Sequence, residues 1–408
     1  MTSSRRRFLQ QLAGGSAVMA LGAKAPAFLA MAAAADVAPQ SDAILVVVQL
    51  TGGNDGLNTV IPYRDDEYYR ARPKLAIPAE DVVRIDDQFG WHPAARGLAD
   101  LLQAGKLAVV QGVGYPEPNR SHFESMDVWH TCSRKGSPRT TGWLGRFLDT
   151  MKPASGRDAP AIHVGAEKQP LALAADAVRV PSLASPAEFR LESDDQRLGD
   201  LIAEVPSHDA PPADALLGYL TSSTTSAFAA SKRITAALGS DDSPVKYPET
   251  ELAARLKTIA QLIDAGLSTR IYYVELDGFD THSQQAAAHA ALLRQYAGAM
   301  SAFMEDVAHR GHGDRILTAS FSEFGRRVAE NASAGTDHGA AAPVFLCGAH
   351  LRPGLIGEHP SLVDLEDGDL KHLIDFRQVY AALLERWLGA ASSPILGGQF
   401  EPVEMLSA

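Results

Sequence analysis

Carboxylate and imidazole side chains recur along this chain beside short apolar runs. The run "AILVVVQL" (43–50) empties into Gly52, Gly53, Asn54 and Asp55. "LAVVQGV" (107–113) leads through "GYPEPN" into "RSHFESMDVWH" (120–130). "IYYVEL" (271–276) is followed by "DGFDTHSQQ", with Asp277, Asp280 and His282. "ILTASF" (316–321) is followed by "SEFGRR", with Glu323, Arg326 and Arg327, while Asp337 and His338 in "GTDHGAAAPVF" stand just before the run at 343–347. Mixed oxygen and nitrogen donors of this kind suit zinc, manganese or magnesium. Ser121, opening a helix-period segment, offers a hydroxyl where a helix N-terminus favours an alkoxide and a bound anion. Arg120, Arg326 and Arg327 offer guanidinium groups able to grip ester oxygens.

Each residue also has a plain structural use. The glycines tolerate the positive φ of a turn, and Asp55 can be a turn former. Ser121 with Glu124 fits a capping box. Asp280 and His282 can cap the helix that begins near 284, Glu323 can pair with Arg326 or Arg327, and His338 can hydrogen-bond in a loop. His92, His122, His289 and His350 carry little signal by themselves. What favours a site is repetition, because ligand-type residues collect at the same end of successive strands. In open α/β sheets, ligands bind in the crevice beyond the carboxyl ends of the strands.

The elements that must position these residues are strands at the five apolar runs and helix-period segments at 93–104, 121–130, 213–238, 249–265, 285–308 and 375–388. Continuous apolar strands alternating with helices predict an α/β fold whose mainly parallel sheet is covered on both faces. The stretch 152–212, rich in Pro, Ala, Asp and Ser, reads as loops or a cap over the sheet, and no internal repeat is present. The chain opens "MTSSRRRFLQ", then runs through an Ala- and Gly-rich apolar stretch, the parts of a twin-arginine export signal cleaved within residues 31–36. Lys24 and Pro26 interrupt that stretch too early for a membrane span of about 20 residues. Removing residues 1–35, with four basic and no acidic residues, takes the formal charge from −12 to −16. Such a balance disfavours nucleic acid as a partner. Two cysteines, Cys132 and Cys347, exclude a disulfide-built scaffold, and whether they pair stays open.

The segments "QLTGGNDGLNTVIPY", "VVQGVGYPEPNRSHFESMDVWHT", "GWLGR", "GFDTHSQQ", "SEFGRRV", "GTDHGAAAPVFLCG" and "DFRQVYAALLERWLG" resemble the secreted bacterial domain-of-unknown-function 1501 family, over nearly all of the mature chain. That family resembles a remote branch of the alkaline phosphatase and sulfatase superfamily. The resemblance implies a three-layer α/β/α sandwich with a mainly parallel central sheet, a two-metal site and a hydroxyl nucleophile. It implies Ser121 as nucleophile, assisted by Arg120. It implies Asp280, His282 and His338 on the first metal, with Asp337 also among the ligands and Asp277 as the other possible partner of His282. Asp55 and Glu323 are implied for the second metal. Phe324 stands where the superfamily carries a histidine, and no C-x-P-x-R or S-x-P-x-R sequence is present for formylglycine.

The expectation is therefore a signal peptide at 1–35 and one alkaline-phosphatase-like domain at 36–408, with a loop-rich or cap-like insertion near 152–265. Its expected function is metal-dependent hydrolysis of phosphate or sulfate esters, with one or two divalent ions, zinc ahead of manganese, magnesium or calcium. The expected partners are an anionic small molecule or polysaccharide and, during export to the periplasm or beyond, the twin-arginine translocase. The alternative is a catalytically inactive, metal-stabilised binding protein of the cell envelope.

Overall fold

The computed structural model describes residues 42–134, 136–137, 139–151, 158–184 and 243–407. Strand β1 (Ile44–Leu50) is buried along its whole length, as its β-branched sequence demands. A small antiparallel sheet follows, made of β2 (Val60–Ile61), β3 (Val83–Arg84) and β4 (Gly90–Trp91), with helix α1 (Asp66–Ala71) between its first two strands. Helix α2 (Arg96–Gln103) leads to β5 (Leu107–Gly114), then come α3 (His122–Thr131) and α4 (Trp143–Thr150). Strands β6 (Ala161–Val164) and β7 (Ser182–Leu183) precede α5 (Glu251–Asp264), β8 (Ile271–Leu276) and the long α6 (Gln285–His309). The rest comprises β9 (Ile316–Phe321), β10 (Ala342–Gly348), β11 (Gly354–Ile356), the pair β12 (Leu365–Glu366) and β13 (Asp369–Leu370), β14 (Ile374–Asp375), α7 (Phe376–Ala382) and α8 (Ser392–Leu396).

The main sheet runs β11-β5-β10-β9-β1-β8-β6-β7, with β14 also on β5. All its pairings are parallel except those of β10, which is antiparallel to both β5 and β9. Alternate residues of β1 feed two cores. Ile44, Val46, Val48 and Leu50 pack with α2, α5 and α6, while Leu45 and Val47 pack with α3, α4, α7 and α8. The sheet thus has helices on both faces, the expected α/β/α layering.

Differences from the sequence reading lie in the shortest elements. Part of the stretch read as loops or cap forms β6 and β7, which extend the sheet at its β8 edge. Strands of four and two residues are too short to show a periodic signal. Helices α1, α4 and α8 also went unread, and α7 widens into a π turn at Leu383–Trp387. The segment expected at 213–238 lies outside the described residues. Cys132 and Cys347 are both buried free thiols. No helix among the described residues is long and apolar enough to cross a membrane.

Because Leu45 is fully buried in the central strand, Leu45→Ala should lower stability by about 2–5 kcal/mol, as measured by urea unfolding.

Candidate metal centre at the carboxyl edge of the sheet

The turn after β1 is built for close approach. Gly52 has φ +113°, and a Cβ there would lie 2.4 Å from the Asp280 nitrogen; one on Gly53 (φ +81°) would lie 2.5 Å from the Phe324 ring. The turn after β1 therefore packs directly against the segments after β8 and β9. Strand β10 completes the edge in reverse: being antiparallel, it begins where its neighbours end. The residues preceding it, Thr336 to Gly339, thus join those that follow β8 and β9. Arg327 donates its backbone N–H to Asp337 O (3.0 Å), and Gly339 donates to Gly325 O (2.8 Å).

Arg326 holds these segments together. Its guanidinium is fully buried and donates to the carbonyls of Gly53 (2.8 Å), Thr336 (2.8 Å), Phe279 (2.9 Å) and Gly52, and to Asp280 Oδ1 (2.8 Å). Every guanidinium nitrogen donates within the protein and the group is fully buried, so this arginine is not free to grip a substrate. Arg120 is paired with buried Asp369 (2.5 Å), and Arg327 approaches the same carboxylate at 3.5 Å.

Asp280 collects imidazoles. His282 Nε2 and His338 Nε2 each lie 3.0 Å from Asp280 Oδ1 and 2.9 Å from one another. His122 Nε2 lies 3.4 Å from Asp280 Oδ2. The opposite nitrogen of each ring faces an acceptor: His338 Nδ1 meets Arg120 O (2.7 Å), His282 Nδ1 meets Asp337 Oδ1 (3.3 Å), and His122 Nδ1 meets Glu323 Oε1 (2.8 Å). A carbonyl or a carboxylate can only accept, so each Nδ1 carries the proton. In protonated rings the three Nε2–H groups would donate to Asp280; in neutral rings their lone pairs face it. Lone pairs facing a carboxylate repel unless a cation lies between them, and tetrahedral zinc with ligands at about 2.0–2.1 Å would separate such atoms by roughly 3.3 Å. Among the described residues, the group of His, Cys, Asp and Glu with ligand atoms all within 4.8 Å of one another is His122, Asp280 and His338. The residues present fit a metal ion.

Without an ion between them, the same contacts act as hydrogen bonds to Asp280. Burial opposes ionisation of Asp280, but the bonds from His338 and Arg326 outweigh it and hold the carboxyl down at about 2. The hydrogen bond to Glu323 raises His122 above the usual imidazole range.

The remaining sequence candidates fall at different distances from this point. Asp337 stands behind His282, also accepting from Asn331 (3.2 Å). Asp277 turns to its neighbour's N–H, Gly278 N, at 2.7 Å, so Asp280 is the carboxylate facing His282. Glu323 is fully buried and accepts from His122 and from Gly52 N (2.9 Å). Asp55 does not join the cluster. It is buried against Arg72 (2.6 Å) and accepts from Gln285, and although burial opposes its charge, Arg72 keeps its carboxyl below the usual range. Ser121 is exposed at the start of α3 and makes no capping bond, while Glu124 pairs with Arg139 (2.6 Å), so the capping box is not formed. His122, which in the sequence carries little signal alone and offers only a substitute for the histidine missing at Phe324, stands one residue after the serine, in the turn that also carries Arg120.

Over residues 42–395 the chain matches the family described as "protein of unknown function (DUF1501)", and it belongs to that family. No curated protein matches it. Among solved structures it is similar to the C-terminal periplasmic domain of EcEptC from Escherichia coli, at 8% identity over 86% of this chain and 84% of that one, with a TM-score of 0.40. It is similar to a protein in the alkaline phosphatase superfamily from Vibrio parahaemolyticus, at 8% over 88% and 69%, TM-score 0.40. It is also similar to the PsFucS1 sulfatase from Pseudoalteromonas sp., at 10% over 88% and 68%, TM-score 0.38. Likeness at this level assigns neither activity nor substrate.

Replacing Arg326 by methionine would leave four carbonyls and a carboxylate without their shared donor. Arg326→Met should cost about 3–5 kcal/mol in chemical unfolding. Arg326→Lys should recover little, because an ammonium cannot span the same fork.

Proposed function

We propose that this protein is an exported, metal-dependent hydrolase of phosphate or sulfate esters. The observation that carries the reading is the convergence of imidazole Nε2 atoms on Asp280, with each opposite nitrogen anchored to an acceptor. Asp280, His282 and His338 would hold the ion, with Asp337 and the Arg120 carbonyl fixing the two rings. A bound divalent ion supplies Lewis acidity toward an ester oxygen. Ser121 is the nucleophile in this reading. Its exposed hydroxyl is free of a capping bond, and it follows directly the peptide whose carbonyl holds His338. The N-terminus of the ten-residue α3 favours negative charge on that oxygen. The substrate is an anionic ester, of a small molecule or a polysaccharide.

The second reading, a metal-stabilised binding protein without turnover, is favoured by Phe324. Its buried ring packs on His122 and His338, at centroid distances of 5.0 and 4.6 Å.

The deciding measurement is turnover of aryl phosphates, phosphodiesters and sulfates by wild type and Ser121→Ala, with Zn, Mn, Mg or Ca supplied. Ser121→Ala should lose nearly all turnover. Its melting temperature should barely move, because the serine makes none of the capping bonds whose loss costs about 1 kcal/mol. Equal turnover by both proteins would remove Ser121 as nucleophile; bound metal without turnover in either would favour the binding protein.

Export by the twin-arginine route rests on "SRRRFL" at 4–9. Changing Arg5 and Arg6 together to lysine should leave the precursor unprocessed in the cytoplasm, read by fractionation. Full processing of the double variant would exclude that route.

A further inference from the structure

We infer that the centre holds a single ion, that α3 supplies it with an imidazole through His122 beside Asp280 and His338, and that Glu323 is a positioning residue for His122 and not a ligand. This inference rests on the metal-dependent reading above.

Glu323 Oε1 is already engaged twice, by His122 Nδ1 at 2.8 Å and by Gly52 N at 2.9 Å, and Ser322 Oγ lies 3.3 Å from Oε2. The carboxylate therefore faces the back of the imidazole. It sets the ring so that Nε2 looks toward Asp280. A second bond fixes the same geometry, because Ser125 Oγ, one turn further along α3, donates to the Glu323 carbonyl at 2.5 Å. One residue at the end of β9 thus orients both the first turn of α3 and the ring that the turn carries. A carboxylate behind a ligating imidazole locks its tautomer and raises its basicity.

The space a second ion would need is taken by hydrocarbon. Phe324 is buried, its ring lies against both His122 and His338, and its far edge abuts Gly53. Asp55, beyond Gly53 in the same turn, is neutralised by Arg72, whose guanidinium is itself fully buried. Glu323 and Asp55 are thus both spoken for, and an apolar ring offers no oxygen or nitrogen to a cation.

The test is metal binding by the mature chain, using zinc counted by elemental analysis after dialysis and affinity from competition with a chromophoric chelator. Wild type should bind one ion per chain. Glu323→Gln keeps the shape of the side chain and should weaken zinc about 10–100-fold, the usual effect of losing such a partner. His122→Ala, at a half-exposed position, should weaken it at least as much. The double variant should bind no more weakly than His122→Ala, because both changes act through one nitrogen. In the cobalt-loaded protein, His122→Ala should alter the visible spectrum. Thermal unfolding of each metal-free variant checks that the fold is kept. Two ions per chain, wild-type affinity in Glu323→Gln, or losses that add in the double variant would overturn the inference. If the wild type binds metal and these variants are indifferent, this inference alone falls. If the wild type binds none, the metal-dependent reading falls with it.

Discussion

One buried guanidinium sets the terms for this site. A charge inside a protein must be paired and hydrogen-bonded, because burying it alone is prohibitively costly. Arg326 meets that demand with backbone oxygens from three separate segments and with the Asp280 carboxylate. Those segments follow β1 and β8 and precede β10, so the arginine fixes the relative positions of the loops that carry the imidazoles. Arg72 repeats the device next door, donating to the carbonyls of Val328 (2.9 Å) and Arg327 (2.9 Å) while it neutralises Asp55. The chain from 326 to 328 is thereby held on both sides.

This arrangement divides the charged residues into two kinds. Arg326, Arg72 and Asp55 are consumed in making the edge rigid. His122, His282, His338 and Asp280 remain with donor atoms turned toward one another, kept there by acceptors behind each ring. In the proposed metal-binding role such rigidity would be useful, since ligands held in place before a cation arrives lose less freedom when it binds. It also explains the glycine turn after β1. Gly52 and Gly53 let the backbone approach Asp280 and Phe324 more closely than any side chain would allow.

Strand direction matters as much as side-chain chemistry. Had β10 run parallel to β9, the segment before it would have started at the opposite edge, and His338 with it. Its antiparallel course, seen in the register Leu346↔Ala319 and Cys347↔Thr318, returns His338 to the edge that carries Asp280. Within the long connection from β9 to β10, Arg326 and His338 form an isolated antiparallel bridge.

Much of this was legible in the sequence. Long β-branched runs and helix-period segments determined a mainly parallel, two-faced sheet, because burial on both faces demands continuous apolar strands. The clustering of Asp280, His282 and His338 after or before such runs was visible too, since strand ends and loops are where polar side chains can meet. The sequence could not separate ligand from scaffold. Asp55 and Asp280 follow their strands in similar contexts and each bonds a buried arginine, yet only Asp280 also faces three imidazoles. Arg326 looked like a surface arginine able to hold a substrate, and only the carbonyls gathered around it from distant segments show why it is internal. His122 carried little signal alone, and the glutamate its ring bonds lies 201 positions away. Tertiary structure decided these roles because each depends on partners brought together by the order and direction of strands, which no local pattern encodes.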